Sequence, residues 1–196
     1  LCLASQLPGC LPSAGMEGLA LSELDAEQVA EAAASATEPG EPRRVTFRWS
    51  VKEAELRMQG RGVARIEPPY RIRLDLFTAQ GETLFQAALV EGDLRIPAWA
   101  PRELAPPPAL LWAALGVLRP DPDLALLAGR QERDGSIILR YGSGTNYELR
   151  FRVREGRLTR AELRRKGYLE EEVDLALDGD SGAVVETVYR NQAEYR

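Results

Sequence analysis

The run from Pro108 to Leu118, P-A-L-L-W-A-A-L-G-V-L, carries no polar side chain and has no solvent face to offer in a helix. Whatever this chain folds into must cover that run. Prolines crowd its approach (Pro97, Pro101, Pro106, Pro107, Pro108) and Arg119-Pro120 closes it, so the punctuation predicts a short helix over Pro108 to Leu118. The segments on both sides alternate apolar and polar residues, which is strand periodicity with one greasy and one wet face. Together these features predict a mainly β, α+β fold: a curved antiparallel sheet forming an unclosed half-barrel, its concave apolar face covered by short helices.

The alternation is plain from Val45 onward. Val45, Phe47, Trp49 and Val51 share one face of a strand, and Met58, Gly60, Gly62, Ala64 and Ile66 share a face of the next. Two glycines on one face either permit strong coiling or leave room for something against it. Strands follow at Tyr70 to Leu76, Thr83 to Val90 and Asp93 to Ile96, jointed by Glu67-Pro68-Pro69, Gln80-Gly81 and Glu91-Gly92. Asp121 to Ala128 reads as a second short helix. Beyond it, strands are expected at Ser136 to Tyr141, Tyr147 to Val153, Leu158 to Arg165, Leu169 to Leu177 and Ala183 to Tyr189, separated by glycine turns. On the last hairpins Arg160 and Arg164 face the same wet side as Glu170, Glu172 and Asp174, so opposite charges can meet there. Ahead of all the strands, Ser22 resembles an N-cap for a helix to about Ala36 whose face is Leu24, Val29 and Ala33.

Composition removes whole classes of function. The chain has 196 residues, enough for one sizeable core. A net charge of -5 opposes a nucleic-acid partner, which needs clustered Lys and Arg. With no histidine there is no Ser-His-Asp relay and no imidazole metal ligand, and two cysteines cannot make a four-thiolate site. Gly179-Asp180-Ser181-Gly182 spells a protease nucleophile segment, yet its serine has no base, and a hairpin turn explains it. Asp178, Asp180 and Gly182 start like a calcium loop that Ala183 and Tyr189 do not continue. No catalytic group, metal or cofactor is expected.

The N-terminus reads L-C-L-A-S-Q-L-P-G-C, which looks like the tail of a secretory signal. Leu7-Pro8-Gly9-Cys10 resembles the lipobox of bacterial lipoproteins, in which the cysteine is acylated. That resemblance implies residues 1–9 as signal remnant, Cys10 as the lipidation site, and 10–21 as a flexible tether ahead of a single domain at 22–196.

Phe47-Arg48-Trp49 and then M-Q-G-R-G-V-A-R-I-E-P-P-Y-R-I-R-L-D from Met58 to Asp75 resemble the LolA/LolB-like lipoprotein carrier family, with Glu91-Gly92 resembling its next turn. The likeness implies an unclosed antiparallel barrel around a hydrophobic cavity, with helices inserted between strands and a lid-locking arginine that is Arg71, Arg73 or neither of them. It implies an apolar ligand, a lipid or the acyl chain of a lipoprotein, held by Phe47, Trp49, Met58, Ile72, Leu74, Leu76, Leu111, Trp112 and Leu115. It also implies a non-enzymatic, monomeric protein at the periplasmic face of the outer membrane, attached to the membrane through an N-terminal lipid anchor. A packed core uses the same residue types as an acyl cavity. The competing expectation is therefore a non-catalytic envelope scaffold whose greasy face is filled by its own side chains.

Overall fold

The computed structural model describes residues 18–53, 56–100, 102, 105–143 and 146–192. Cys10 and the lipobox lie outside the described residues. In chain order the elements are β1 (Leu19–Ala20), α1 (Glu23–Thr37), β2 (Arg43–Glu53), β3 (Leu56–Glu67), β4 (Arg71–Thr78), β5 (Thr83–Val90), β6 (Asp93–Arg95), α2 (Pro108–Ala114), β7 (Ala125–Gln131), β8 (Ile137–Gly142), β9 (Tyr147–Arg154), β10 (Arg157–Arg165), β11 (Tyr168–Leu177) and β12 (Val184–Asn191).

The strands form two antiparallel sheets where a single one was expected. One is a five-stranded meander, β2-β3-β4-β5-β6, and the other runs β1-β7-β8-β9-β10-β11-β12. The break between them falls where β6 ends. Ala88 pairs with Arg95, so the next positions to pair would be Ala87 with Ile96 and Gln86 with Pro97. Pro97 has no N–H to give a ladder, and the chain leaves the sheet there.

The glycine turns do what their dipeptides predict. Glu91-Gly92, Glu155-Gly156 and Lys166-Gly167 have both residues at positive φ, between 50° and 97°, the backbone of two-residue hairpins whose twist matches the flanking strands. The Gly179 to Gly182 segment is likewise a hairpin turn, in which the Asp178 carboxylate accepts from the Ser181 N–H at 2.8 Å and from the Ser181 hydroxyl at 2.7 Å. The hydroxyl is thus occupied in holding the turn.

Three expectations are corrected. Asp121 to Ala128 is not a helix: a turn at 122–123 leads directly into β7, which pairs with β8 through a register shift between Leu126 and Ala128. Leu19 and Ala20, placed in the tether by the sequence, form β1 by pairing with Gln131 and Arg130. In α1 the Ser22 cap is present, its side chain accepting from the Asp25 N–H at 3.2 Å, but the buried face is Ala26, Ala30 and Ala33, while Leu24 is 64% exposed. Alanines win because this helix packs closely on the sheet: a methyl added at Gly129 would lie 2.8 Å from Ala26 Cβ.

Arginines and carboxylates tile the outer face of the larger sheet. Arg160 bonds Glu172, Asp174 and Glu162, and Arg190 bonds Glu172 and Asp174, so the expected cross-hairpin pairing holds for Arg160. Arg164 instead bonds Glu162, on its own strand, and Glu170 bonds Arg165. Exposed pairs of this kind contribute about 0–1 kcal/mol each, but Glu172 is buried beneath its two arginines and depends on them more.

Candidate functional site

The element that joins the two sheets is α2. Pro108 starts it, Leu111 donating from its N–H to the Pro107 carbonyl at 2.9 Å, and Gly116 in the left-handed region (φ 79°) ends it. It is therefore four residues shorter than the apolar run, with Val117 and Leu118 leaving it fully buried in extended chain. Every residue from Ala109 to Ala113 is buried. Ala109, Leu110 and Ala113, with Leu118, join Leu139, Leu149, Phe151, Ala161 and Val173 in the core of the larger sheet. Leu111 and Trp112, with Val117, join Ile66, Ile72 and Leu89 of the smaller.

Hydroxyls tie both ends of this segment. Thr187 on β12 donates to the Ala114 carbonyl at 2.8 Å, and the Leu118 N–H donates to Thr37 Oγ1 at 2.9 Å. Arg119 lies over the Tyr70 ring at 3.4 Å from its centroid, and Tyr70 meets Trp112 edge-on, centroids 5.7 Å apart at 83°. Stacked contacts of this kind stabilise by roughly 0.5–2 kcal/mol. Tyr70 and Arg119 were not expected at the site. Their only sequence signal is position, one at the turn into β4 and the other directly after the apolar run. Arg71 and Arg73, the expected locking residues, bond Glu67 at 3.4 Å and Asp75 at 3.2 Å instead.

Of the residues expected to line a pocket, Ile72, Leu74, Leu111, Trp112 and Leu115 gather around α2. Leu76 packs on a third cluster, beside Phe85, Ala87 and Ala100. Phe47, Trp49 and Met58 lie further along the same face of β2 and β3, half-buried. The room above Gly60 and Gly62 is filled by the chain itself. Phe47 pairs with Gly62 and Trp49 with Gly60, and each ring lies over its glycine so closely that an added methyl would fall 2.3 Å from Phe47 Cζ or 2.7 Å from Trp49 Cζ2. The Trp49 indole N–H donates to the Arg61 and Phe77 carbonyls at 3.0 and 3.2 Å. Trp112 differs: its Nε1 is buried and has no hydrogen-bond partner among the described residues.

The inner face of the smaller sheet is therefore one apolar row in two parts. From Ile66 and Ile72 to Leu111 and Trp112 it is roofed by α2; from Leu76 to Phe47, Trp49 and Met58 it is half-open. Along β4 alone the four-residue step from Ile72 to Leu76 spans about 13 Å.

Two titrating groups lie near the far end of the apolar segment. Burial raises the Asp121 carboxyl above its ordinary value, against the lowering effect of the Tyr147 hydroxyl that donates to it at 3.1 Å. Burial pushes the Tyr141 phenol up to about 12.

No protein-family model and no curated protein matches the sequence. Among solved structures, the chain is similar to a LolA superfamily protein from Nitrosomonas europaea, at 14% identity and a TM-score of 0.55, over 85% of each chain. At that identity the likeness is one of fold. Two unclosed antiparallel sheets with two helices, superposable over most of both chains, give this protein a LolA-like fold.

Proposed function

We propose that the protein holds an apolar ligand, an acyl chain or similar amphiphile, along the inner face of the five-stranded sheet, and that α2 yields to admit it. The observation that carries this reading is the continuous row: the half-open strip of Phe47, Trp49, Met58 and Leu76 runs on into the part beneath α2. A ligand seated on the strip has an apolar path inward, at whose end stands Trp112, its N–H without a partner among the described residues. The LolA-like fold of the neighbour supports the same class of ligand. Attachment through an acylated Cys10 at the periplasmic face of the outer membrane, with carriage of lipids or lipoproteins, belongs to this proposal too.

Magnitudes set the terms. Leu110, Leu111, Trp112, Val117 and Leu118 are all buried, and exposing five such side chains costs roughly 8–15 kcal/mol. A sixteen-carbon chain contributes about 12 kcal/mol on full burial, at ~0.8 kcal/mol per methylene. A sixteen-carbon chain therefore comes level with that cost, whereas an eight-carbon chain, at about 6 kcal/mol, falls short of it. In a protein with Trp49 and Trp99 changed to Phe, Trp112 emission should shift with saturating C16 fatty acid and not with C8, each below its micellar concentration.

The second reading, a non-catalytic envelope scaffold with a self-filled core, is favoured by the packing of α2 on both sides. An emission unmoved by every chain length, together with native mass spectra showing no retained lipid, would select it.

A further inference from the structure

Where β6 stops, the sheet edge opens into a cavity of about 580 Å³ lined by Arg73, Gln86, Arg95 and Arg102 over an apolar floor that includes Leu94 and Ile96. We infer that this notch binds an oxyanion, a phosphate ester or carboxylate, carried on an apolar body. The cavity is distinct from the inner row, and the inference does not rest on the reading above.

Register puts two of these arginines in one row. Arg73 is paired with Ala88, and Ala88 with Arg95, so two guanidiniums flank one methyl side chain, their Cα atoms about 10 Å apart, two interstrand spacings. The two side chains lean opposite ways along the strands, Arg73 toward Asp75 and Arg95 toward Asp93, with the Ala88 methyl between their rows. Each guanidinium is held from behind by an acid through Nε: Arg73 Nε donates to Asp75 at 3.2 and 3.3 Å, and Arg95 Nε to Asp93 at 2.7 Å. Neither terminal Nη pair is used in these bonds, and that fork is the part suited to a bidentate oxyanion. Asp75 is itself anchored. It is buried, and it also accepts from Arg65 Nη1 at 2.9 Å and from Gln86 Nε2 at 3.1 Å. Arg102 adds a third cation, exposed, with no ion-pair partner among the described residues. Among the described residues no carboxylate lines the cavity.

The apolar half of the ligand follows from what borders the cavity. Pro97 ends the lining strand and accepts from the Ala100 N–H at 3.0 Å, and within that turn Trp99 is 58% exposed. An exposed indole two residues along the chain from the lining residue Pro97 suits contact with a greasy surface. The chain as a whole carries -5, so an anion binds here through local geometry and not through the net field.

The test is calorimetric titration of the full chain at 50 mM salt with three probes: dihexanoyl-phosphatidylglycerol below its micellar concentration, the uncharged dihexanoylglycerol, and glycerol 3-phosphate. The anionic lipid should bind at least tenfold tighter than either of the others, and Arg95→Gln with Arg102→Gln should weaken it at least tenfold. Arg133→Gln with Arg154→Gln, an equal charge change at exposed positions of the other sheet, should not. Glycerol 3-phosphate binding as tightly as the lipid overturns the apolar half of the ligand. Equal affinity for the two lipids, or loss of binding in the Arg133 and Arg154 variant as large as in the notch variant, overturns the site. Melting curves of the variants, all at exposed positions, check that each remains folded.

Discussion

Gly60 and Gly62 lie two residues apart on one face of β3, yet adding a methyl group should have different consequences at the two. At Gly62 the three atoms nearest the new carbon all belong to the Phe47 ring, at 2.3 to 2.9 Å. Phe47 is half-buried on β2 and can swing outward. The cost is then part of its burial, about 1 kcal/mol, offset by the roughly 0.5–1 kcal/mol that Ala gains over Gly in a strand. At Gly60 the new carbon would lie 1.9 Å from the Phe77 carbonyl oxygen as well as 2.7 Å from Trp49. That oxygen is backbone, held in the β3–β4 ladder by the pairing of Arg61 with Phe77, and it also accepts from the Trp49 indole. Moving it strains the ladder, at about 1–3 kcal/mol, and loses the indole bond, about 1 kcal/mol. Gly60→Ala should therefore cost about 2–4 kcal/mol, and Gly62→Ala within about 1 kcal/mol of zero. For a chain of this size the first corresponds to a fall in Tm of roughly 4–16 °C. Urea denaturation followed by far-UV circular dichroism reads both. Equal losses at the two positions would mean that the rings, not the backbone, set the tolerance of this face, and the reasoning would fail.

Replacing Trp112 by Ala should cost about 3–5 kcal/mol, whereas Trp112→Phe should cost much less, because the buried indole N–H without a partner goes with the substitution; paired melts compare them. Thr37→Val leaves the Leu118 N–H unpaired and should destabilise by about 1–3 kcal/mol, read by the same assay. Asp121 has a folded pKa above its unfolded one, so its contribution is present at low pH and lost as pH rises through the raised value; the melting temperature of Asp121→Asn should gain on the unmodified protein as pH climbs from 4 to 7. If Cys10 carries the proposed anchor, Cys10→Ser should move a folded protein into the soluble fraction of its host, and intact mass should show the acyl groups in the unmodified chain.

Alternation made the strands from Val45 to Val90 and from Ser136 to Tyr189 legible, because each buries one face only and a period of two survives in the residues. β7 escaped for the opposite reason. Its stretch A-L-L-A-G-R-Q has adjacent leucines, Leu126 packed inward and Leu127 49% exposed, and a register shift between them and the rest of the strand destroys the alternation. High helix propensity then misleads, and pairing with β8 overrides it. β1 is too short to carry a period. The segment at α2 was legible as buried but not as joint: an all-apolar run gives no sign of which side chains face which sheet, and Leu110 and Leu111 go to opposite ones. Arg71 and Arg73 alternate outward as strand residues do, and no sequence pattern placed Arg119 over Tyr70.

The place of α2 in the chain has a consequence for synthesis on the ribosome. The strands of the smaller sheet all precede it, so Leu111 and Trp112 find their partners as soon as the helix emerges. Ala109, Leu110, Ala113 and Leu118 do so only in part: Ala30 and Ala33 of α1 are already made, but the rest of their cluster lies on β8 to β11, which end only at Leu177. At about 5–20 residues per second, the 59 residues from Leu118 to Leu177 take roughly 3–12 seconds to appear. For that interval the nascent chain carries a greasy stripe on an otherwise finished half, the sort of surface that holdase chaperones bind.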